Sequence, residues 1–124
     1  MNGYFLLAAG FMAATLFIHC FLGGRSIVPP LLNSKDLGDV PKTIHYGNWH
    51  VATIVFIGIT ANFLWAAIHV EAIELAVFST AVTAAICLWA ATVIIMQKQS
   101  FKRILHWLFF LLITAAGTAG LMTS

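Results

Sequence analysis

Four apolar stretches, Tyr4 to Leu22, Trp49 to His69, Ala72 to Met96 and Ile104 to Met122, take up nearly all of a 124-residue chain. Each is about as long as an α-helix must be to cross a hydrocarbon layer of about 30 Å. Backbone that enters lipid has to satisfy its own amides, so such stretches admit helices and little else. With 61% hydrophobic and 8% charged residues and a mean hydropathy of +0.97, the chain has too few charges to coat a water-soluble surface. The sequence therefore predicts an all-α fold, a single integral membrane domain over residues 1–124. It is a four-transmembrane-helix bundle with one long loop between its first two helices.

The first stretch is expected to be a retained helix, because it lacks a basic n-region and runs into Gly23-Gly24-Arg25 without an Ala-x-Ala type cleavage site. No lipidation motif marks either terminus. All six basic residues lie on one side. Arg25, Lys35 and Lys42 fall between the first two helices, and Lys98, Lys102 and Arg103 between the last two. By the positive-inside rule that side is cytoplasmic, and both termini are outside. The expected location is the cell inner membrane, as a multi-pass protein in contact with the lipid bilayer. The net charge of +2 is then a topology signal, and no nucleic-acid partner is expected. Cys20 and Cys87 lie away from the oxidising outer compartment and are expected to be free, buried thiols, with Cys20 one further donor for a metal site.

Along the first helix, Met12, Thr15 and His19 form a semi-polar stripe that should face protein, and Ala8, Ala9, Ala13 and Ala14 permit close helix approach. Gly23-Gly24 is expected to end the helix as a C-cap. Pro29-Pro30-Leu31-Leu32 does not suit a helix interior and is too apolar for a solvated linker, so it should fold back onto the membrane face. Asp39-Val40-Pro41 reads as an N-cap region with proline in the first turn. The second helix then begins near Pro41 and projects beyond the bilayer. Tyr46 and His50 share a face there, while His45 and His50 diverge by about 140°.

Asn62 falls near the bilayer centre, where an amide needs a partner. An interhelical hydrogen bond worth about 0.6 to 2 kcal/mol is the plain expectation. Trp49, Trp65 and Trp107 read as interfacial anchors. His69, Glu71 and Glu74 around the outer turn form a weak second metal candidate. Glu71 and Glu74 are accounted for as well by the helix dipole. Ser79, Thr83 and Cys87 form a small-residue ladder beside Thr80, expected to serve packing. The last helix is bulky near His106-Trp107 and small at Thr114, Gly117, Thr118 and Gly120. This taper leaves volume on the inner side, next to the histidines.

Histidine is costly in lipid and frequent in sites that bind metals, haem or protons. His19, His50 and His106, one from each of three helices, fall within about 5 to 8 Å of one another in depth. Three neutral imidazoles suit Zn²⁺, Fe²⁺ or Cu, with His45, Asp36 or Asp39 as further donors or acceptors and Tyr46 beside the site. Two of the three suit axial ligation of a b-type haem. The histidines with Arg25 also suit hydrogen bonding to a quinone or a lipid head group. Against all of these stands the plain alternative that interfacial histidines bond water, loop carbonyls or phosphates.

The chain carries no His-Glu-x-x-His, Cys-x-x-Cys-His, dinucleotide fingerprint, P-loop or nucleophile elbow. It also has no acid in the middle of a helix, as proton-coupled export needs. His19, Gly23-Gly24-Arg25, Pro30-Leu31-Leu32 and Trp49-His50 together resemble a set of small four-helix bacterial inner-membrane proteins of unassigned function. That resemblance covers the first half of the chain. It implies that the inner loop and its histidines form one unit, and it carries no activity. The small multidrug transporters are of similar length, but the chain lacks their glutamate in the first helix. The polar motifs of the fluoride channels have no counterpart that can be placed on it. Two readings fit these residues. One is a redox or metal-handling membrane protein with a metal ion or haem b at His19, His50 and His106. The other is a non-catalytic accessory subunit of a larger membrane complex, or a small homo-oligomer. A small oligomeric transporter is favoured only if Asn62 lines a water-filled path. Whether the chain is an enzyme is left open.

Overall fold

The computed structural model describes residues Met1–Ser124. It is all-α: α1 (Gly3–Ser26), a short α2 (Val28–Leu32), α3 (Asp39–Ile68), α4 (Ile73–Met96) and α5 (His106–Met122). Three helical segments, Gly3–Ser26, Asp39–Ile68 and Val70–Met96, are long and apolar enough to cross a membrane. At 17 residues, α5 spans about 25 Å, somewhat short of a full crossing. Large apolar side chains such as Ile54, Leu88 and Trp89 stand exposed around the outside.

The four long helices form an up-down-up-down ring. α1 packs on α3 and α5, α4 packs closely on α5 and more lightly on α3, and α1 and α4 lie across the diagonal. One end of the ring holds both chain termini and the Val70–Ala72 3-10 turn. The other holds the two longer connections, and every Lys and Arg lies in them or in the helix turns that flank them. These are called the termini end and the loop end.

Small residues set the packing at the termini end. Ala8 and Ala9 of α1, Ala66 and Ala67 of α3, Ala76 of α4 and Ala116 of α5 are buried among Phe5, Met12, Phe63 and Ile113. Between helices in lipid, such shape fitting supplies what hydrophobic burial supplies in water. Gly120 lies against the Phe5 ring, and Gly117 against Thr80 and Phe63, so closely that a Cβ at either position would overlap them. Asn2 ties the end together. Its amide donates to the Ala67 carbonyl over 2.8 Å, its side-chain nitrogen donates to the Gly120 carbonyl over 3.0 Å, and its side-chain oxygen caps the first turn of α1. Midway along the bundle Asn62 donates to Ser79 Oγ over 3.1 Å, which is the interhelical bond expected of it. Thr114 donates to Thr83 Oγ1 over 3.1 Å, and Thr83 in turn donates to the Thr80 carbonyl. Thr80 Oγ1 is buried without a partner.

Several local expectations change. Gly23-Gly24 does not end α1. The helix widens into a π-helical stretch over Ile18–Gly23, in which the Gly24 amide bonds the His19 carbonyl five residues back. It then continues to Ser26 with both glycines right-handed. Pro29-Pro30 starts a short helix, because proline fits a first turn that has no amide bonds to lose. α3 begins at Asp39 after an extended Gly38, two residues before Pro41. Its 30 residues span about 45 Å, so it does outreach a bilayer core. α5 starts at His106, not Ile104. Ala8 and Ala9 are buried as expected, but Ala13 and Ala14 face outward. Both cysteines are free, yet Cys20 is exposed and Cys87 half-buried.

Candidate functional site

The loop end of the bundle holds the larger and more apolar of two openings; the one at the termini end, beside Asn2, Phe5, Ala66 and Ser124, is about 360 Å³. A cavity of about 580 Å³ lies between α1, α3 and α5. α1 contributes Thr15, Ile18, His19, Leu22 and Gly23, the turn after it Ile27, α3 Trp49 and Phe56, and the start of α5 His106, Phe109 and Phe110, with Leu105 before it. The volume lies within the range typical of small-molecule sites, and the walls are mostly apolar and aromatic with few polar groups.

His19 is the best-defined of these groups. It sits in the π-helical stretch, a distortion that costs regular hydrogen bonding and is frequent at functional positions. Its ring stacks on the Trp49 indole with centroids 3.9 Å apart and planes 15° from parallel, and it meets Phe56 edge-on at 5.2 Å. Gly23 makes the stack possible. A Cβ there would come within 2.6 Å of Trp49 Cη2, so only a glycine lets the indole lie this close to α1. His19 Nε2 lies 3.2 Å from the Trp49 carbonyl and 3.1 Å from Thr53 Oγ1. Thr53 Oγ1 also donates to the Trp49 carbonyl over 3.2 Å, and a carbonyl can only accept, so the assignment that satisfies all three contacts puts the neutral ring's proton on Nε2 and leaves Nδ1 an acceptor with no protein partner.

His106, on the first turn of α5, lines the same cavity. No side chain caps that helix, and no protein group bonds the His106 ring. Two imidazoles from different helices thus share one apolar chamber with hydrogen-bonding capacity to spare.

The third member expected there is elsewhere. His50 is exposed and packs edge-on against Tyr46 at 4.6 Å, and neither residue lines the cavity. Rotation about α3 turns Trp49 inward in place of His50. His45, Asp36 and Arg25 are exposed, and Asp39 is the exposed first residue of α3, where its charge suits the helix dipole. No three His, Cys, Asp or Glu side chains converge into a group able to hold a metal ion. This corrects the expectation of a three-histidine metal centre and, at the other end, of one at His69, Glu71 and Glu74. There His69 Nδ1 pairs with Glu71 over 3.2 Å and stacks on Trp65 at 4.0 Å. Glu74 lies in the first turn of α4.

The tryptophans also divide. Trp49 is a wall of the cavity, where an interfacial anchor was expected. Trp107 donates from Nε1 to the Phe101 carbonyl over 3.1 Å and so fastens the last loop. Thr53 and Phe56 escaped the sequence reading. The signal for them was their i+4 and i+7 spacing from Trp49, which places all three on one helical face. Comparison with protein-family models, curated proteins and solved structures finds no match for this chain.

Proposed function

We propose that the chain is a multi-pass inner-membrane protein of four spanning helices, with both termini outside, that binds a small, largely apolar molecule in its loop-end cavity. The observation that carries this reading is the cavity itself, with two imidazoles able to bond a ligand and aromatic walls around them. The basic residues gathered at the same end support a cytoplasmic placement. The exposed apolar belt supports lipid around the bundle.

Within this reading a metal ion has no ligand set. A b-type haem has only His19 and His106 as axial candidates, and it fits poorly, because His19 Nε2 is already committed to Trp49 and Thr53. A bound organic molecule uses the free Nδ1 and leaves those bonds intact.

The test compares wild-type protein with Leu105→Trp, which fills the cavity from an exposed position. Both are purified in mild detergent without chelators, then examined by absorption spectroscopy, elemental analysis and mass spectrometry of their organic extracts. A near-stoichiometric small molecule present in the wild type and lost from Leu105→Trp is the expected result. Identical extracts from two equally folded proteins would overturn the reading. A Soret band abolished by His19→Ala or His106→Ala would replace it with the haem form.

A further inference from the structure

We infer that the cavity receives the ring of a lipid-soluble quinol, held by hydrogen bonds to His19 and His106 and favoured over the oxidised quinone. This inference rests on the ligand-binding reading of the cavity and names the ligand class.

Three features point to that chemistry. The first is flatness. The His19 and Trp49 rings lie parallel, face to face, and Phe56, packed at 5.5 Å on Phe110, continues the aromatic lining. Aromatic rings favour an aromatic guest in offset or edge-on contact. The second is polarity. The Trp49 carbonyl fixes the His19 proton on Nε2, so Nδ1 can only accept, and the ligand must present a hydroxyl or another donor to it. A quinol has that hydroxyl, whereas a quinone offers two acceptors. His106 has no protein partner and can donate or accept, so it bonds the far oxygen in either redox state. The third is the apolar character of the rest of the chamber. Ile18, Leu22 and Leu105 suit a hydrocarbon tail and leave a charged or multiply hydroxylated guest unsatisfied.

The inference concerns binding alone. One neutral ring, one donated proton at His19 Nδ1 and one bond at His106 satisfy the site, and no electron transfer is assigned to it.

Isothermal titration under anaerobic conditions, with protein in mild detergent, tests it with four probes: decylubiquinol, decylubiquinone, decylbenzene and tail-free hydroquinone. The expected result is that the quinol binds about tenfold more tightly than the quinone, which is the weight of one hydrogen bond, and that decylbenzene and hydroquinone bind more weakly than either. His19→Leu should abolish the preference for the reduced form. His106→Leu should weaken both forms. Leu105→Trp should abolish binding in a folded protein.

Equal affinity for decylubiquinol, decylubiquinone and decylbenzene, unmoved by the histidine variants, would overturn the quinol assignment and leave the cavity reading standing. Hydroquinone binding as tightly as decylubiquinol would overturn the assignment to a lipid carrier. If no probe binds but Leu105→Trp still loses a co-purified molecule, the ligand belongs to another class and the inference fails. If no probe binds and Leu105→Trp behaves as wild type, the inference and the cavity reading fall together.

Discussion

The two ends of the bundle use the same helices for opposite purposes. At the termini end, glycine and alanine bring α1, α3, α4 and α5 into close contact. Phe5 and Phe63 fill the space between them, and Asn2 bonds three of the strands of chain that meet there. At the loop end, α1 is widened by its π-helical stretch, the side chains are large, and a chamber of about 580 Å³ remains. That chamber opens to the surface between mostly apolar walls that carry two histidines, which suits a guest better than helix packing. The contrast assigns stability to the first end and ligand binding to the second.

The largest effect on stability is expected from Gly120→Val. The new side chain overlaps the buried Phe5 ring, and overpacking of this kind typically costs about 1–3 kcal/mol. Thermal unfolding in detergent should show it, and Gly117→Val should act alike through Thr80 and Phe63. Gly23→Ala comes next and works at the other end. Its methyl displaces the Trp49 indole from α1 and breaks the stack with His19. It should lower ligand affinity more than its modest effect on stability, which separates the two roles in one variant.

Asn62→Leu removes the bond to Ser79 at mid-bundle. A loss of about 0.6 to 2 kcal/mol is expected, with ligand binding unchanged. A transport-defective but equally stable Asn62→Leu protein would instead point to a water-filled path. The smallest effect is expected from His50→Ala. This side chain is exposed and outside the cavity, so stability should move by less than about 0.5 kcal/mol and bound ligand not at all. Loss of ligand in His50→Ala would restore the three-histidine site.

The sequence made the helices legible because each is a long apolar run, and physical necessity in lipid leaves few alternatives to a helix. It also showed which end would hold the larger opening, since the taper of α5 from Trp107 to Gly120 is visible in residue sizes alone. Gly23-Gly24 was misread for a physical reason. Glycine serves both left-handed caps and close approach, and only the position of Trp49, a residue far along the chain, decides between them. The candidate site was half legible. Depth along a helix follows from counting residues, and His19 and His106 do line one cavity. Facing depends on rotation, and a helix that is apolar on every side carries no stripe to fix it. His50 was therefore included where its neighbour Trp49 belonged, and Thr53, which holds His19 in place, passed unnoticed.

The most direct test of the division of labour measures melting midpoint and retained ligand together on two variants, Gly120→Val and Leu105→Trp. Gly120→Val is expected to lower the midpoint yet keep the ligand while folded, whereas Leu105→Trp should keep the midpoint and lose the ligand. If both readouts fall together in both variants, the two ends are one cooperative structure and the cavity is no separate site.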